Sequence, residues 1–507
     1  MPKRAVHTQK PEVILDQHAP APLYKQLYER LRAAILAGQL EAGARLPSTR
    51  GLASELGISR NTTALAYELL LLEGYLESRV GDGTRVAHLH AQRLSQTRET
   101  ARERDAAHRM EGNERPPLLA RRNQLLVKSF SQTSLGADQP DAETGIFRVG
   151  QPDVSHFPYE TWARLMAKHA RQSLQGFSLY QPPQGYLPLR EAIAAHVGIT
   201  RGVHCSPEQI IITAGSQGAL DLVARVLLDP GEPAWVENPG YVGAHGTLLA
   251  AGAQVIPVSV DQDGLIVEVG RQRSLHARLA VVTPSHQFPT AVPMSLERRL
   301  ALLEWSRDAR AWIIEDDYDS EYRFSGRPLE SLQGLDDAGR VIYIGSFSKV
   351  LFPSLRLGYL IVPPALLEGF ITARSFIDVH PPLLEQMALA EFIAAGHYAR
   401  HLRKMRLLYL ERRDALVAAL RQELGNMLHV VTPEAGIHLV AWLPAEISAP
   451  AVTQLAVANG LHISPISQFS LRPLQRDGLL FGFAGATADE LRAGVRTLAQ
   501  ALRPLCV

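Results

Sequence analysis

Cysteine is nearly absent: 507 residues carry two, Cys205 and Cys506, at distant positions. Such a pair builds neither a disulfide framework nor a zinc site, and it fits a reducing cytoplasm. Long apolar runs are missing as well. No segment reaches the about 18 apolar residues that a membrane span requires, and Met1 to Asp16 lacks the apolar stretch of a secretory signal. A cytoplasmic location with no membrane partner is therefore expected. Nor is there an excess of one charge: 52 Lys and Arg against 51 Asp and Glu leave a formal +1. No global field favours nucleic acid or membrane, so any anion binding must come from where particular basic residues are placed. What is present is ordinary for a large core, with 46% hydrophobic residues. The length predicts two or more domains.

Three regions separate by pattern. Residues 20–88 show helical spacings that close in a glycine-bearing hairpin. Residues 89–141 shift to Gln, Arg, Glu, Ser and Thr with Pro116-Pro117, and read as a linker too polar to form a core. From 142 to 507 apolar runs alternate with amphipathic segments, the sequence form of a largely parallel sheet with crossover helices. A smaller lobe is expected from about residue 390, after a long charged helical stretch around Tyr398 to Glu423.

In the first region Leu23, Leu27, Leu31 and Ile35 recur every four residues as a buried stripe. Ser48 stands as N-cap of a short helix with Leu52, Ala53 and Leu56 on one face, ending at Gly57. Ser59 caps a third helix whose Leu65, Leu69, Leu72 and Leu76 are expected to point inward. A short helix, a glycine turn and a longer helix follow the helix-turn-helix plan. Arg60, Asn61 and Thr62 then face outward at the start of the recognition helix, where base edges are read. Gly81-Asp82-Gly83 is a hairpin tip, flanked by Arg79 and Arg85, and would form a wing. Eight Lys and Arg against seven Asp and Glu over Leu23–Ala87 would equally suit a small helical domain without DNA, so the case rests on position.

In the third region three apolar runs end in polar constellations, and open α/β sheets bind ligands just beyond such ends. Leu279–Val282 leads into Thr283-Pro284-Ser285-His286-Gln287-Phe288-Pro289-Thr290, and Ala311–Ile314 into Glu315-Asp316-Asp317-Tyr318. Val341–Ile344 leads to Ser346-Phe347-Ser348-Lys349, with Arg356 seven residues on. These supply what pyridoxal 5′-phosphate (PLP) needs. Lys349 is placed to hold an aldehyde as a Schiff base. Asp316 or Asp317 could face a pyridine nitrogen, with Tyr318 as donor to the ring hydroxyl. Arg356 offers a fork and Ser346 a hydroxyl to a phosphate. Thr213 to Gly218 opens a helix after Ile211-Ile212, a good phosphate cradle. Tyr241 gives an aromatic face.

The first region resembles the winged-helix domain of GntR-type regulators across its full length. Leu46-Pro47-Ser48-Thr49-Arg50, Gly57-Ile58-Ser59-Arg60-Asn61-Thr62 and Glu73-Gly74-Tyr75 with Gly81-Asp82-Gly83-Thr84 carry the match. It implies that Arg50, Ser59, Arg60, Thr62 and the wing at Gly83 face double-stranded DNA; Ala64 stands where many relatives are basic. Gly145 to the end resembles a fold-type I aminotransferase. Ser155-His156-Phe157-Pro158, Tyr180-Gln181-Pro182-Pro183-Gln184-Gly185, Ser285 to Thr290 and Glu315-Asp316-Asp317-Tyr318-Asp319 fit that pattern. Together the two halves resemble the MocR-type subfamily of GntR regulators: a winged helix-turn-helix, mostly α with a β wing, joined by a linker to an α/β PLP-binding domain.

That resemblance implies an internal aldimine on Lys349, Asp316 at the ring nitrogen and Tyr318 at the ring hydroxyl. It implies Tyr241 stacked on the ring, with Ser216, Gln217, Ser346 and Arg356 on the phosphate. Tyr180 would reach the phosphate of a neighbouring subunit, hence a homodimer. Two positions depart from the catalytic relatives. Phe288 replaces an asparagine beside the ring, and Leu480 replaces the arginine that binds a substrate carboxylate, a contact worth about 1.5–3 kcal/mol. Arg472 or Arg476 could compensate. The expected function is a transcription regulator sensing PLP or an amino compound such as a γ-amino acid or an aminosulfonate. The alternatives are a working aminotransferase with an accessory DNA-binding domain and a PLP-free scaffold.

Overall fold

The computed structural model describes residues 13–16, 19–79, 83–88, 119–132, 145–172, 179–326 and 330–503. Two compact units divide between Leu118 and Leu119. The hairpin tip Gly81-Asp82 and Pro116-Pro117 lie outside the described residues.

The first unit has three helices, α1 (Leu23–Leu36), α2 (Thr49–Leu56) and α3 (Arg60–Leu72), then strands β1 (Leu76–Arg79) and β2 (Gly83–Val86). Leu27, Leu31 and Ile35 of α1 are buried as the four-residue spacing requires. Ser48 Oγ caps α2 by accepting the Gly51 N–H, and α2 ends on a left-handed Gly57. Ser59 Oγ caps α3 by accepting the Thr62 N–H. The inward face of α3 differs from the expected one: Thr63, Ala66, Tyr67 and Leu70 are buried, while Leu65 and Leu72 are exposed. The run Leu69–Leu72 offers apolar residues at every helical angle. The Tyr67 hydroxyl decides between them, because only with Tyr67 inward does it donate to the Pro47 carbonyl (3.0 Å) at the entry to α2. Leu76 is buried as expected, but from β1. β1 and β2 pair antiparallel with Leu76 opposite Val86 and Arg79 opposite Gly83.

The second unit opens with α4 (Arg121–Gln132); after a further helix over Tyr159–Gln172 comes α5 (Leu187–Arg201). Its large sheet has the order β3-β10-β9-β8-β7-β4-β5-β6. In chain order these are β3 (Ile210–Thr213), β4 (Pro233–Asn238), β5 (Gln254–Asp261), β6 (Gly264–Leu265), β7 (Leu279–Val282), β8 (Trp312–Asp317), β9 (Val341–Ser346) and β10 (Gly358–Ile361). The strands β5, β4, β7, β8 and β9 run parallel, whereas β10 is antiparallel to both β9 and β3. Two helices matter for the site: α6 (Gly215–Leu227) after β3, and α7 (Val242–Ala250) after β4. The central strands are buried on both faces, which suits their apolar runs. On β9, Ile342 and Ile344 enter one core with Ile211 and Leu360, while Tyr343 enters the other with Ile210, Ile212 and Tyr359.

The smaller lobe follows α8 (His397–Leu424), with β11 (His429–Val430), β12 (His438–Trp442), β13 (Ser464–Pro465), β14 (Gly478–Gly482) and a closing helix α9 (Ala488–Leu502). Its sheet order is β11-β12-β14-β13. Leu439, Ala441, Leu479 and Phe481 point into the main core, while Val440 and Leu480 turn to the opposite face with Ile466 and Phe469.

Candidate functional site

In the first unit Arg50, Arg60, Asn61 and Ala64 are exposed. Arg60 and Asn61 stand at the start of α3, where unpaired N–H groups and the helix dipole favour an anion. Ser59 and Thr62 are partly committed to each other, their hydroxyls lying 2.8 Å apart. Arg85 donates to the Gly43 carbonyl (3.0 Å), which turns it toward the fold. A basic residue that the sequence reading passed over takes its place: the Arg45 guanidinium packs against Gly83 on the wing strand. The pairing of residues 43–46 with β2, with Arg45 opposite Arg85, brings it there, and no local motif marks that long-range pairing.

The ends of the parallel strands in the second unit open into a cavity of about 700 Å³, within the usual range for small ligands. Lys349, Asp316, Tyr318, Tyr241 and Ser216 all line it. β8 does not stop before its acids but runs through them, and Glu315, Asp316 and Asp317 are all buried. Alternation along the strand then separates their roles. Glu315 accepts the N–H groups of Leu332 and Gln333 (3.0 Å each). Asp317, on the same side, pairs with Arg201 of α5 at 2.7 Å and accepts the Tyr343 hydroxyl at 2.6 Å. Asp316 turns the other way, and its Oδ1 is buried with no partner. Burial, then the neighbouring Asp317, pushes the Asp316 carboxyl up to about 7. A protonated pyridine nitrogen is the donor that such an atom lacks.

Burial also lowers the Lys349 amine, which favours the neutral nucleophile. Its Nζ donates to the Gly150 carbonyl (2.7 Å). The Tyr318 phenol is pushed well up by burial and by Asp319 and Asp316, so it remains a donor. Tyr241, just before α7, gives its hydroxyl to Gln217 Oε1 (3.2 Å). The Gln217 amide in turn donates to Gly243 and Thr247, so its side chain serves α7 and only its backbone N–H is left for an anion.

The start of α6 requires Gly215: its φ is +73°, and an added Cβ would sit 3.1 Å from the Arg356 guanidinium. Arg356 donates to the Ala214 carbonyl (2.9 Å), which holds its charge over this helix end. Ser346 is buried at the end of β9 and accepts the Ser348 N–H (3.2 Å). Tyr180 is 85% exposed and does not line the cavity.

Leu480, where the resemblance placed a carboxylate-binding arginine, is fully buried among Val440, Ile466 and Phe469 and does not line the cavity. Phe288 and Phe469 do line it, packed edge-on at 5.0 Å. Neither Arg472 nor Arg476 lines the cavity, and Arg476 lies over Trp442 and bonds the Leu443 carbonyl. Arg148, His438 and His462 do line it. The sequence reading missed all three, since a single basic residue in an apolar stretch carries no spacing signal. A lysine beyond a strand end, an orphaned buried carboxylate, a phenol donor, a tyrosine lining the cavity and a cationic helix start fit PLP as a set.

Comparison with known proteins agrees with both halves. Residues 23–86 match the bacterial regulatory proteins of the gntR family, and residues 146–498 match aminotransferase class I and II. The probable rhizopine catabolism regulatory protein MocR of Rhizobium meliloti is 42% identical over 97% of this chain and 96% of its own. The HTH-type pyridoxine biosynthesis transcriptional regulator PdxR of Corynebacterium glutamicum is 31% identical over 95% of this chain and 96% of its own. Among solved structures, the α-aminoadipate aminotransferase LysN of Thermus thermophilus, complexed with N-(5′-phosphopyridoxyl)-L-leucine, matches with a TM-score of 0.66 and 29% identity. That match covers 77% of this chain and 96% of the other. The chain therefore belongs to the MocR-type GntR regulators, transcription regulators in which a winged helix-turn-helix is joined to an aminotransferase-like domain that binds PLP.

Proposed function

We propose that this regulator reads the state of PLP at Lys349 and converts it into altered affinity for operator DNA. The observation that carries the reading is one cavity lined by Lys349, the unpartnered Asp316, Tyr318 and Tyr241, in a chain whose other unit exposes Arg60 and Asn61 at the start of a helix. In this reading Arg50, Ser59, Arg60, Thr62 and the wing at Gly83 contact double-stranded DNA. Lys349 holds the cofactor, Asp316 faces its ring nitrogen, Tyr318 its ring oxygen and Tyr241 its face. Ser216, Gln217, Ser346 and Arg356 surround the phosphate. When bound, PLP supplies an electrophilic aldehyde carbon that captures primary amines.

The same proposal covers a cytoplasmic homodimer in which Tyr180 reaches the phosphate of a second copy. The exposed Leu179, Tyr180 and Phe376 support a face that another subunit covers. The signal is PLP itself or an amine whose carboxylate, if it has one, is not held at Leu480. The relatives' names point both ways, one to pyridoxine biosynthesis and one to rhizopine catabolism. Either signal must bind two states of the protein unequally to act at all.

Fluorescence anisotropy on the DNA upstream of the gene, with and without PLP, tests the proposal. The expected result is an affinity that changes with PLP or with PLP plus an amine, and a change that Lys349→Ala abolishes together with the bound cofactor's visible absorbance. Indifference to PLP and amines, or a response that survives Lys349→Ala, would sink it.

A further inference from the structure

At the edge of the cavity, where His438 lines it, a buried group joins His286, Asp319 and His438. We infer that His286 is a positioning residue that orients the Tyr318 hydroxyl as a donor into the cavity. This rests on the reading of the cavity as a PLP site.

His286 Nδ1 lies 3.1 and 3.0 Å from the two Asp319 oxygens and 3.0 Å from the Tyr318 hydroxyl. One ring nitrogen carries at most one hydrogen, and a carboxylate only accepts. Were Nδ1 bare, its lone pair would face carboxylate oxygens at hydrogen-bond distance, which is repulsive. Nδ1 therefore holds the proton and directs it to Asp319. The Tyr318 oxygen cannot donate to a nitrogen that already bears hydrogen, so its own O–H turns elsewhere, and Tyr318 lines the cavity.

Two further observations agree. His286 Nε2 is buried with no partner. A bare lone pair there leaves no N–H unsatisfied, as the Nδ1–H tautomer requires. The ring is also fixed in place. Gly436 makes room for it, since a Cβ at that position would fall 2.0 Å from His286 Cε1. On another side the His438 ring is 4.8 Å away, held by its own contact with the Pro289 carbonyl (3.2 Å). The titratable groups against His286 are thus Asp319, Tyr318 and His438.

Without His286, Tyr318 is free to donate to Asp319 and is lost to the cofactor. A donor at the ring oxygen favours the form in which that oxygen carries uncompensated negative charge, so its loss raises the pH midpoint of the bound cofactor's visible band. His286→Phe should raise that midpoint by about 1 pH unit, the equivalent of one hydrogen bond. Tyr318→Phe should do the same, and the double variant should go no further. His286→Asn, which keeps a donor near the Nδ1 position, should restore most of the wild-type midpoint. Additive shifts in the double variant, or a midpoint that His286→Phe leaves unmoved, would overturn the role of His286 alone. Absence of any Lys349-dependent band in the wild type would instead overturn the reading of the site. The tautomer has a readout that needs no cofactor: in protein labelled with ¹⁵N-histidine, the His286 resonances, assigned by their loss in His286→Asn, should report hydrogen on Nδ1. Hydrogen on Nε2 alone would overturn the inference whatever the cavity binds.

Discussion

Asp316 shows how a binding site is built at the expense of stability. Its carboxyl titrates at about 7 in the folded chain against an ordinary value of 3.8. Between those values the native state holds a proton that the unfolded state has lost, so this group's contribution to stability falls as pH rises through the window. The penalty is complete above about pH 7. Asp316→Asn removes the charge and should stabilise the cofactor-free protein, with a gain on the order of 2 kcal/mol at about pH 8 that shrinks toward about pH 5. Calorimetry at both values checks this; a gain independent of pH would refute the assignment. The same substitution should weaken PLP binding, the familiar opposition of stability and function. From the sequence alone Asp316 and Asp317 could not be told apart. The strand's period of two decides, because it hands Asp317 to Arg201 and leaves Asp316 without a partner. Arg148, His438 and His462 escaped because the chain brings them to the cavity from the beginning of the domain and from the smaller lobe.

Among the elements, α3 depends most on a single side chain. Ser59 satisfies the Thr62 N–H at its first turn. Ser59→Ala should cost about 1 kcal/mol, read as a lower melting midpoint of the winged-helix unit, with DNA affinity falling as the first turn frays. An unchanged midpoint would show that the cap contributes nothing. Caps and turns were legible because Ser48, Gly57 and Ser59 act within three or four residues of themselves. The inward face of α3 was not, because Leu69 to Leu72 fill several faces and only the contact of Tyr67 with Pro47, twenty residues away, selects one. The parallel strands were legible from their apolar runs. Their true ends were not, since burial of acids in β8 requires Arg201 and Tyr343 from other parts of the chain.

For the whole molecule, a formal charge of +1 means that attraction to DNA is local. Few phosphate contacts are expected, so affinity should fall less steeply with salt than for a strongly basic protein. Arg60→Ala should weaken specific binding by about 1–3 kcal/mol and relax preference at one base position, whereas Arg50→Ala should lower the salt slope by about 1 and leave base preference intact. Anisotropy titrations over a salt series distinguish the two; equal loss on every sequence from Arg60→Ala would make it a phosphate contact. The two-part architecture was legible as a whole because each half carries several motifs in order, and agreement among many weak signals is hard to produce by accident. Phe288 and Phe469, which line the cavity, lie in the second compact unit, whereas α3 and the wing belong to the first. On the proposed reading, a library of variants at these two positions is a route to reporters tuned to new amines, each still addressing the same promoter.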